Sequence, residues 1–424
     1  MPPPDDHLTA LIDVLSTSPT SYHAAAAVSG RLQQAGYVEM DEAAEWLAPA
    51  RRGYVCRDGA VVAWRQPAQW GPRTRVRVLA AHTDSPALKL KPGGSFAREG
   101  FQLADVEVYG GPILHTWFDR DLAVAGRLVD SSGQVHLVQT PAFMRVPALA
   151  IHLDRAVNTS LEIDAQRDLT AMFGLALAAD TGSSWEAHVA GLAGLEVEDV
   201  AGHDLFLVPL QPPALMGLEQ ELLAAYRLDN LLSVHSTLTG LLNARSTDDV
   251  QVLALFDHEE VGSATPSGAS GPFLAGTLRR LSHAQQFGVD AHLAWLARGC
   301  VLSADVTHGV HPNRSDRHDP VVRPRLNGGP VLKWSAQMRY ATDAASMADW
   351  TRACAAAEVE HQVFVNNNSV PGGSSLGPLL ATRLGMRTVD AGVAVLGMHS
   401  AREVCGVRDP ESLAKVASAF LEGS

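Results

Sequence analysis

The chain has 424 residues, of which 46% are hydrophobic and 19% charged, with a formal net charge of −13. That composition describes a globular protein with a sizeable core, long enough for two domains or one large domain carrying an insertion. The acidic balance, with no dense Lys/Arg block, excludes nucleic acid and anionic membrane surfaces as partners.

In chain order, the opening MPPPDDHL is acidic and proline-rich and does not read as a secretory signal. Helical spacing covers Leu8–Leu15 and His23–Ala35, broken at Ser18-Pro19 and ended by Gly36. Val76–Ala81 reads as a strand that delivers His82, Thr83 and Asp84 at its end. From about Lys91 to Leu218 the rhythm changes to short valine-rich segments punctuated by Gly or Pro, such as Asp105–Tyr109, Leu122–Val129 and Val135–Val138. After Tyr226 the alternation of helices and apolar strands returns. Leu231–Leu242, Thr277–Phe287 and Ser346–Ala357 are predicted as helices, Val250–Phe256 and Cys300–Ala304 as strands. The expected fold class is therefore α/β, a sheet domain built from residues 1–90 and 219–424 and interrupted by a β-rich insertion over 91–218. No apolar run approaches the ~20 residues that span a bilayer. Cys56, Cys300, Cys354 and Cys405 are widely spaced and suit free thiols in a reducing compartment, so a cytoplasmic location is expected.

Ligand-type residues recur where the predicted strands end. The adjacent acids of Asp257-His258-Glu259-Glu260 close the run VQVLALF and open a Gly-containing turn. Two carboxylates at a strand's edge are costly to desolvate unless a positive charge sits beside them. His82 and Asp84 follow VLAA, Asp229 lies in Arg227-Leu228-Asp229-Asn230 ahead of a helix, Asp305 follows VLSA, and His399 follows VAVLGM. Sites in open α/β sheets gather at the carboxyl ends of strands, so these positions can converge across long sequence distances. His, Asp and Glu ligands suit zinc, and a shared carboxylate suits a two-metal hydrolytic centre. Each residue alone has a plainer reading. His-x-Asp after a strand can be a turn hydrogen bond, Asp229 a helix N-cap, and tandem Glu a solvated surface. Lys333, after Gly-Gly-Pro and a Val-Leu pair, can be a solvent-facing strand lysine.

A competing constellation is Gly373-Ser374-Ser375-Leu376-Gly377, which fits the G-x-S-x-G nucleophile elbow with Asp390 and His399 following in order. An elbow serine comes directly off a strand, whereas here a loop rich in Asn and Gly separates Val359–Val365 from Ser375. That reading also leaves His82, Asp229, Glu260 and Asp305 without a purpose.

The chain resembles the aspartyl aminopeptidase family of cocatalytic zinc metallopeptidases. The resemblance is carried by AHTDSP (Ala81 to Pro86), YGGPILHTWFDRDLAVAGR (Tyr109 to Arg127), RVPALAIHLDR (Arg145 to Arg155) and RLDN (Arg227 to Asn230). It continues through DHEEVGS (Asp257 to Ser263), SADVTHGVHPN (Ser303 to Asn313), GGPVLKWSAQMRYATD (Gly328 to Asp343), PGGSSLGPLLATRLG (Pro371 to Gly385) and GMHSARE (Gly397 to Glu403). The likeness implies a mixed-sheet metallopeptidase domain with helices on both faces, interrupted by a dimerisation domain. It implies two zinc ions, with manganese or cobalt tolerated, one held by His82, Asp229 and Asp305 and the other by Asp229, Glu260 and His399. Asp84 would orient the His82 imidazole, and Glu259 would be the general base of a two-zinc-activated water. His308, Lys333 and Tyr340 match positions that contact substrate, and His152 resembles a histidine presented to a neighbouring subunit's site. The implied activity is removal of an N-terminal Asp or Glu from peptides by a homo-oligomer, a dodecamer built from dimers. The alternatives are a neutral, Leu-like preference on the same centre and a non-catalytic assembly or cargo scaffold. Pro371-Gly372-Gly373-Ser374-Ser375 lacks the Cys and Thr pair often seen in eukaryotic relatives.

Overall fold

The computed structural model describes residues 6–71, 73–176 and 184–423. Within them the protein is a mixed α/β chain that divides into two compact units, one of residues 1–84, 213–398 and 403–424, the other of 85–212 and 399–402.

The first unit is organised by a nine-stranded sheet, whose order is Val38–Glu39, Arg52–Arg57, Ala60–Arg65, Val250–Phe256, Val76–His82, Cys300–Ala304, Arg387–Gly392, Val331–Lys333, Gln362–Phe364. Its four central strands, 250–256, 76–82, 300–304 and 387–392, run parallel. The first three read as largely apolar runs because both faces are covered. Alternate residues divide between two cores. Leu253, Leu255, Leu79 and Ala81 pack into one with helices Asp6–Thr17, Ser21–Gln34, Leu228–Asn243 and Asp409–Glu422. Val252, Ala254, Val78 and Ala80 pack into the other with Phe273–Ala284, Val289–Ala297 and Leu376–Leu384. A period of two in the strand thus feeds both layers of helices. The helix Leu228–Asn243 is buried on nearly every side, as a helix between a sheet and a further helix must be. At Gly240 a β-carbon would come 2.7 Å from the Ala417 β-carbon, so glycine there admits the C-terminal helix. A second sheet in this unit orders Ala214–Met216, Leu222–Ala225, Glu403–Gly406, Ala394–Leu396, Thr307–His308.

Register explains convergence of the strand ends. Phe256 is level with His82, and Ser303 with Ala80, so the residues following Phe256, Ala81 and Ala304 leave the sheet at one edge.

The second unit holds an antiparallel six-stranded sheet ordered Val135–Gln139, Leu122–Asp130, Val200–Pro209, Ala87–Arg98, Phe101–Tyr109, Ala171–Leu175. Its first strand begins at Ala87, earlier than the sequence boundary at 91, because Ala87–Leu90 already pair with Val106–Tyr109. The region is β-rich but also carries a helix, Trp185–Leu192, whose first turn is capped by the Ser184 hydroxyl accepting from Ala187 N at 3.0 Å. The helix predicted over Thr277–Phe287 starts earlier, at Phe273, and stops at Ala284, where Gln285 and Gln286 turn out of helical geometry.

Candidate metal centre

His82 ends its strand almost fully buried. Its Nδ1 lies 3.2 Å from the Asp84 carbonyl oxygen and 3.4 Å from Asp84 Oδ1. A carbonyl only accepts, so Nδ1 carries the proton and the lone pair of the neutral ring falls on Nε2. That Nε2 stands 3.3 Å from Asp229 Oδ1 and 3.5 Å from Asp305 Oδ1. One ligand atom from each of His82, Asp229 and Asp305 fits within 4.8 Å, and so do those of His82, Glu259 and Glu260.

Asp229 does not cap its helix. It and Asn230 depart from helical dihedrals after Arg227, which is left-handed at φ +66°. The departure turns the Asp229 carboxylate toward His82 while its backbone N–H donates to Glu403 Oε2 at 3.0 Å. Asn230 Nδ2 donates to the Ala304 carbonyl at 3.0 Å, tying this segment to the strand that delivers Asp305. The Arg227 guanidinium reaches the Ser18 and Thr83 carbonyls.

The acid pair is fixed by a contact that spacing does not announce. Asp84 Oδ1 accepts from Glu259 N at 3.0 Å and Asp84 Oδ2 from Glu260 N at 3.1 Å. One carboxylate therefore holds both the His82 ring and the short 3-10 turn Glu259–Val261. That turn is entered through His258 at φ +64° and left through Gly262 at φ +95°, the left-handed region that glycine adopts freely. Beneath it Asp257 is buried, accepting from the Ser21 hydroxyl at 3.1 Å and its neighbour's N–H at 2.9 Å.

So many acids in a buried space repel. Burial, reinforced by Asp305, Asp229 and Asp84, pushes the Glu259 carboxyl up to about 7, and burial with Asp229 holds Glu260 well above the carboxylate range. Burial lowers the His82 pKa, but Asp229, Asp305 and Asp84 outweigh it and raise the ring well above its ordinary value. A set of one imidazole nitrogen and several crowded carboxylate oxygens calls for a cation, and its N/O chemistry fits zinc.

Lys333 is buried, not solvent-facing. Its Nζ donates to Asp305 Oδ2 at 2.9 Å, and it lies 5.4 Å from the Tyr340 ring centroid. Burial works against the ionised carboxylate of Asp305, but Lys333 and His82 hold its pKa below the usual range. Tyr340 and His308 both pack against Phe364, with centroids 6.2 and 5.7 Å away. His308 and Phe364 line a cavity of about 250 Å³. Tyr340 and His308 thus share the Phe364 ring, and Lys333 joins them through Tyr340. His399 and His152 belong to the second unit. His399 Nδ1 lies 3.0 Å from the Gly111 carbonyl, which places the lone pair of its neutral ring on Nε2. His152 lies on an exposed turn.

Ser375 begins the helix Leu376–Leu384, and its hydroxyl donates to Asp390 Oδ1 at 2.7 Å; Ala341 N donates to Asp390 Oδ2 at 2.6 Å. A serine whose proton points at a carboxylate is not the base-activated nucleophile of an elbow. Ser375→Ala should leave peptidase turnover within about twofold of wild type while lowering unfolding stability by about 1–3 kcal/mol, the cost of removing one donor from a buried charged acceptor. Loss of turnover in a folded variant would restore the serine reading.

A buried His/Asp/Glu cluster at the carboxyl edge of a mixed sheet defines a metallohydrolase-type centre. The sequence profile of the family described as "Aminopeptidase I zinc metalloprotease (M18)" matches residues 14–421, and the chain belongs to that family. It is 44% identical to a "Probable M18 family aminopeptidase 2" of Streptomyces coelicolor over 422 residues, 98% of each chain. Identity to a protein of the same description from Pseudomonas aeruginosa is 41%, over 98% of this chain and 97% of the relative. Among solved structures, the cryo-EM structure of the Ape4 and Nbr1 complex matches at TM-score 0.92 and 31% identity, covering 98% of this chain and 85% of that one. The S. cerevisiae mApe1 dodecamer matches at TM-score 0.86 and 27% identity, covering 98% and 96%. The protein is a zinc aminopeptidase of the M18 family. No helix among the described residues is long and apolar enough to cross a membrane.

Proposed function

We propose that the chain is a two-zinc aminopeptidase that removes an N-terminal Asp or Glu from peptides in the cytoplasm, with Glu259 as general base. The observation that carries this reading is the double use of Asp84, which fixes the His82 ring and the backbone of the Glu259-Glu260 pair together. His82, Asp229 and Asp305 would hold one ion, and Asp229, Glu260 and His399 the other, with manganese or cobalt as substitutes. Bound zinc supplies Lewis acidity that polarises the scissile carbonyl and acidifies the attacking water. Glu259, half-buried and pinned by its backbone, takes the proton from that water and passes it to the departing amine. Asp84 keeps His82 in the tautomer that presents Nε2. His308, Lys333 and Tyr340 would contact substrate. His152, from the inserted dimerisation domain, would reach a neighbouring subunit's site. Leu149, Ile151 and Leu153, exposed on the same turn, suit a contact between subunits of a homo-oligomer, for which the mApe1 dodecamer is the precedent.

One observation favours a neutral preference instead. The ammonium of Lys333, the cation expected to select an acidic side chain, is already engaged by Asp305. Hydrolysis of Asp- and Leu-chromogenic substrates separates the readings. Turnover should vanish with chelator, return with zinc, and be faster on Asp. Faster turnover on Leu replaces the acidic preference with the neutral one. No turnover on either after metal is restored would leave a non-catalytic scaffold.

A further inference from the structure

The opposite end of the nine-stranded sheet carries the reverse charge. Three neighbouring parallel strands begin there, and Cys300 is registered against both Arg77 and Arg387. Arg75 lies two residues before Arg77, and its carbonyl still accepts from Val250 N at 2.9 Å, so it extends the strand. Arg298 precedes Cys300, and the helix Ala344–Ala356 contributes Arg352. These five arginines, Asp349 and Cys300 line a cavity of about 160 Å³.

The charges do not balance locally. Asp349 pairs with Arg352 and, at 3.0 Å, with Arg387. Asp249 takes Arg77 at 2.7 Å. Two carboxylates therefore serve five guanidiniums, and among the described residues Arg75 and Arg298 have no carboxylate within ion-pair distance. The Cys300 thiol supplies no counter-charge, since burial pushes it up to about 11 and it stays neutral near pH 7. This concentration of positive charge sits in a protein whose net charge is −13. Guanidinium forks match phosphate oxygens in planar, bidentate geometry, and charge-assisted bonds of that kind are roughly twice as strong as neutral ones. At about 30 Å³ of liquid volume per water, the cavity has room for one or two phosphate groups, and is too small for a nucleotide's sugar and base as well.

We propose that this arginine-lined cavity is a binding site for a small multivalent oxyanion of the phosphate class, free or as the terminal group of a phosphorylated small molecule. Occupation neutralises the crowded guanidiniums and ties the starts of three core strands to the helix Ala344–Ala356. The site lies at the sheet edge opposite the metal centre, so the peptidase chemistry does not require it.

Calorimetric titration of the zinc-loaded protein with inorganic phosphate, pyrophosphate and glycerol phosphate, at constant ionic strength set with chloride, tests the site. Among the described residues Arg75 and Arg298 make no ion pairs, so replacing both by Gln orphans no described carboxylate and should leave folding and peptidase turnover intact. Saturable binding to the wild-type protein is expected, weakened about tenfold or more in the R75Q/R298Q variant. Binding of free phosphate or pyrophosphate alone assigns the inorganic ion, and binding of glycerol phosphate assigns the phosphorylated molecule. No response to any of the three, or equal affinity in both proteins, overturns the proposal.

Discussion

Glu259→Gln should lower kcat by roughly 10²–10⁴-fold, the usual contribution of a positioned general base, while the zinc content of the protein stays at the wild-type level. Glutamine preserves the size of the side chain and leaves untouched the Glu259 N–H to Asp84 Oδ1 bond at 3.0 Å, so the turn keeps its shape. What it removes is the oxygen that accepts a proton. The four expected ligands in the first unit, His82, Asp229, Asp305 and Glu260, are unchanged in the variant. Steady-state kinetics on a good peptide substrate, paired with elemental analysis of the same preparation, measures both quantities. Loss of zinc along with activity would make Glu259 a ligand and overturn the division of roles between the two adjacent acids.

Lys333→Met should destabilise the metal-free protein by about 3–5 kcal/mol, the cost of leaving one partner of a buried ion pair without its counter-charge. Lys333 and Asp305 are both buried and their charged atoms are 2.9 Å apart. Methionine fills much of the same volume, so the loss reports on charge more than on packing. The zinc-loaded protein should lose less, because a cation on Asp305 Oδ1 supplies the positive charge that the lysine did. By linkage, zinc should bind the folded variant more tightly relative to wild type. Denaturant unfolding with chelator and with saturating zinc measures the two losses. Equal losses in both states would mean that Asp305 does not share its charge with the metal.

The apolar core strands were legible from residues alone. VQVLALF is a strand at the very bounds its apolar run suggests, because a short buried run ended by acids and glycine has few other solutions. Cys300–Ala304 was equally plain. The α/β class followed from the alternation of such runs with helical spacing. Less legible were elements whose pattern is weak. WEAHVAGL forms a helix inside the β-rich insertion through a serine cap, and Arg387–Gly392 forms a core strand although RTVDAG carries an acid and a glycine at its end. The acid of that strand, Asp390, is accommodated because the Ser375 hydroxyl and the Ala341 N–H donate to its carboxylate, while its own backbone N–H donates to Thr342 Oγ1.

The sequence by itself determined which residue types could form the centre and that they lie at the ends of predicted elements, where carboxylates must be solvated, paired or held by a cation. It did not determine distances. Only tertiary structure decided that His82, Asp229 and Asp305 meet, because parallel register sets the ends of strands 76–82 and 300–304 level, and the non-helical turn at Asp229, tied to Ala304 through Asn230, brings the third carboxylate to them. Only tertiary structure gave Asp84 its second task of holding two backbone N–H groups from a turn 175 and 176 residues away. And only burial turned Lys333 from a lysine that the pattern would send to solvent into the partner of Asp305, since a charge taken out of water must find its counter-charge within the fold.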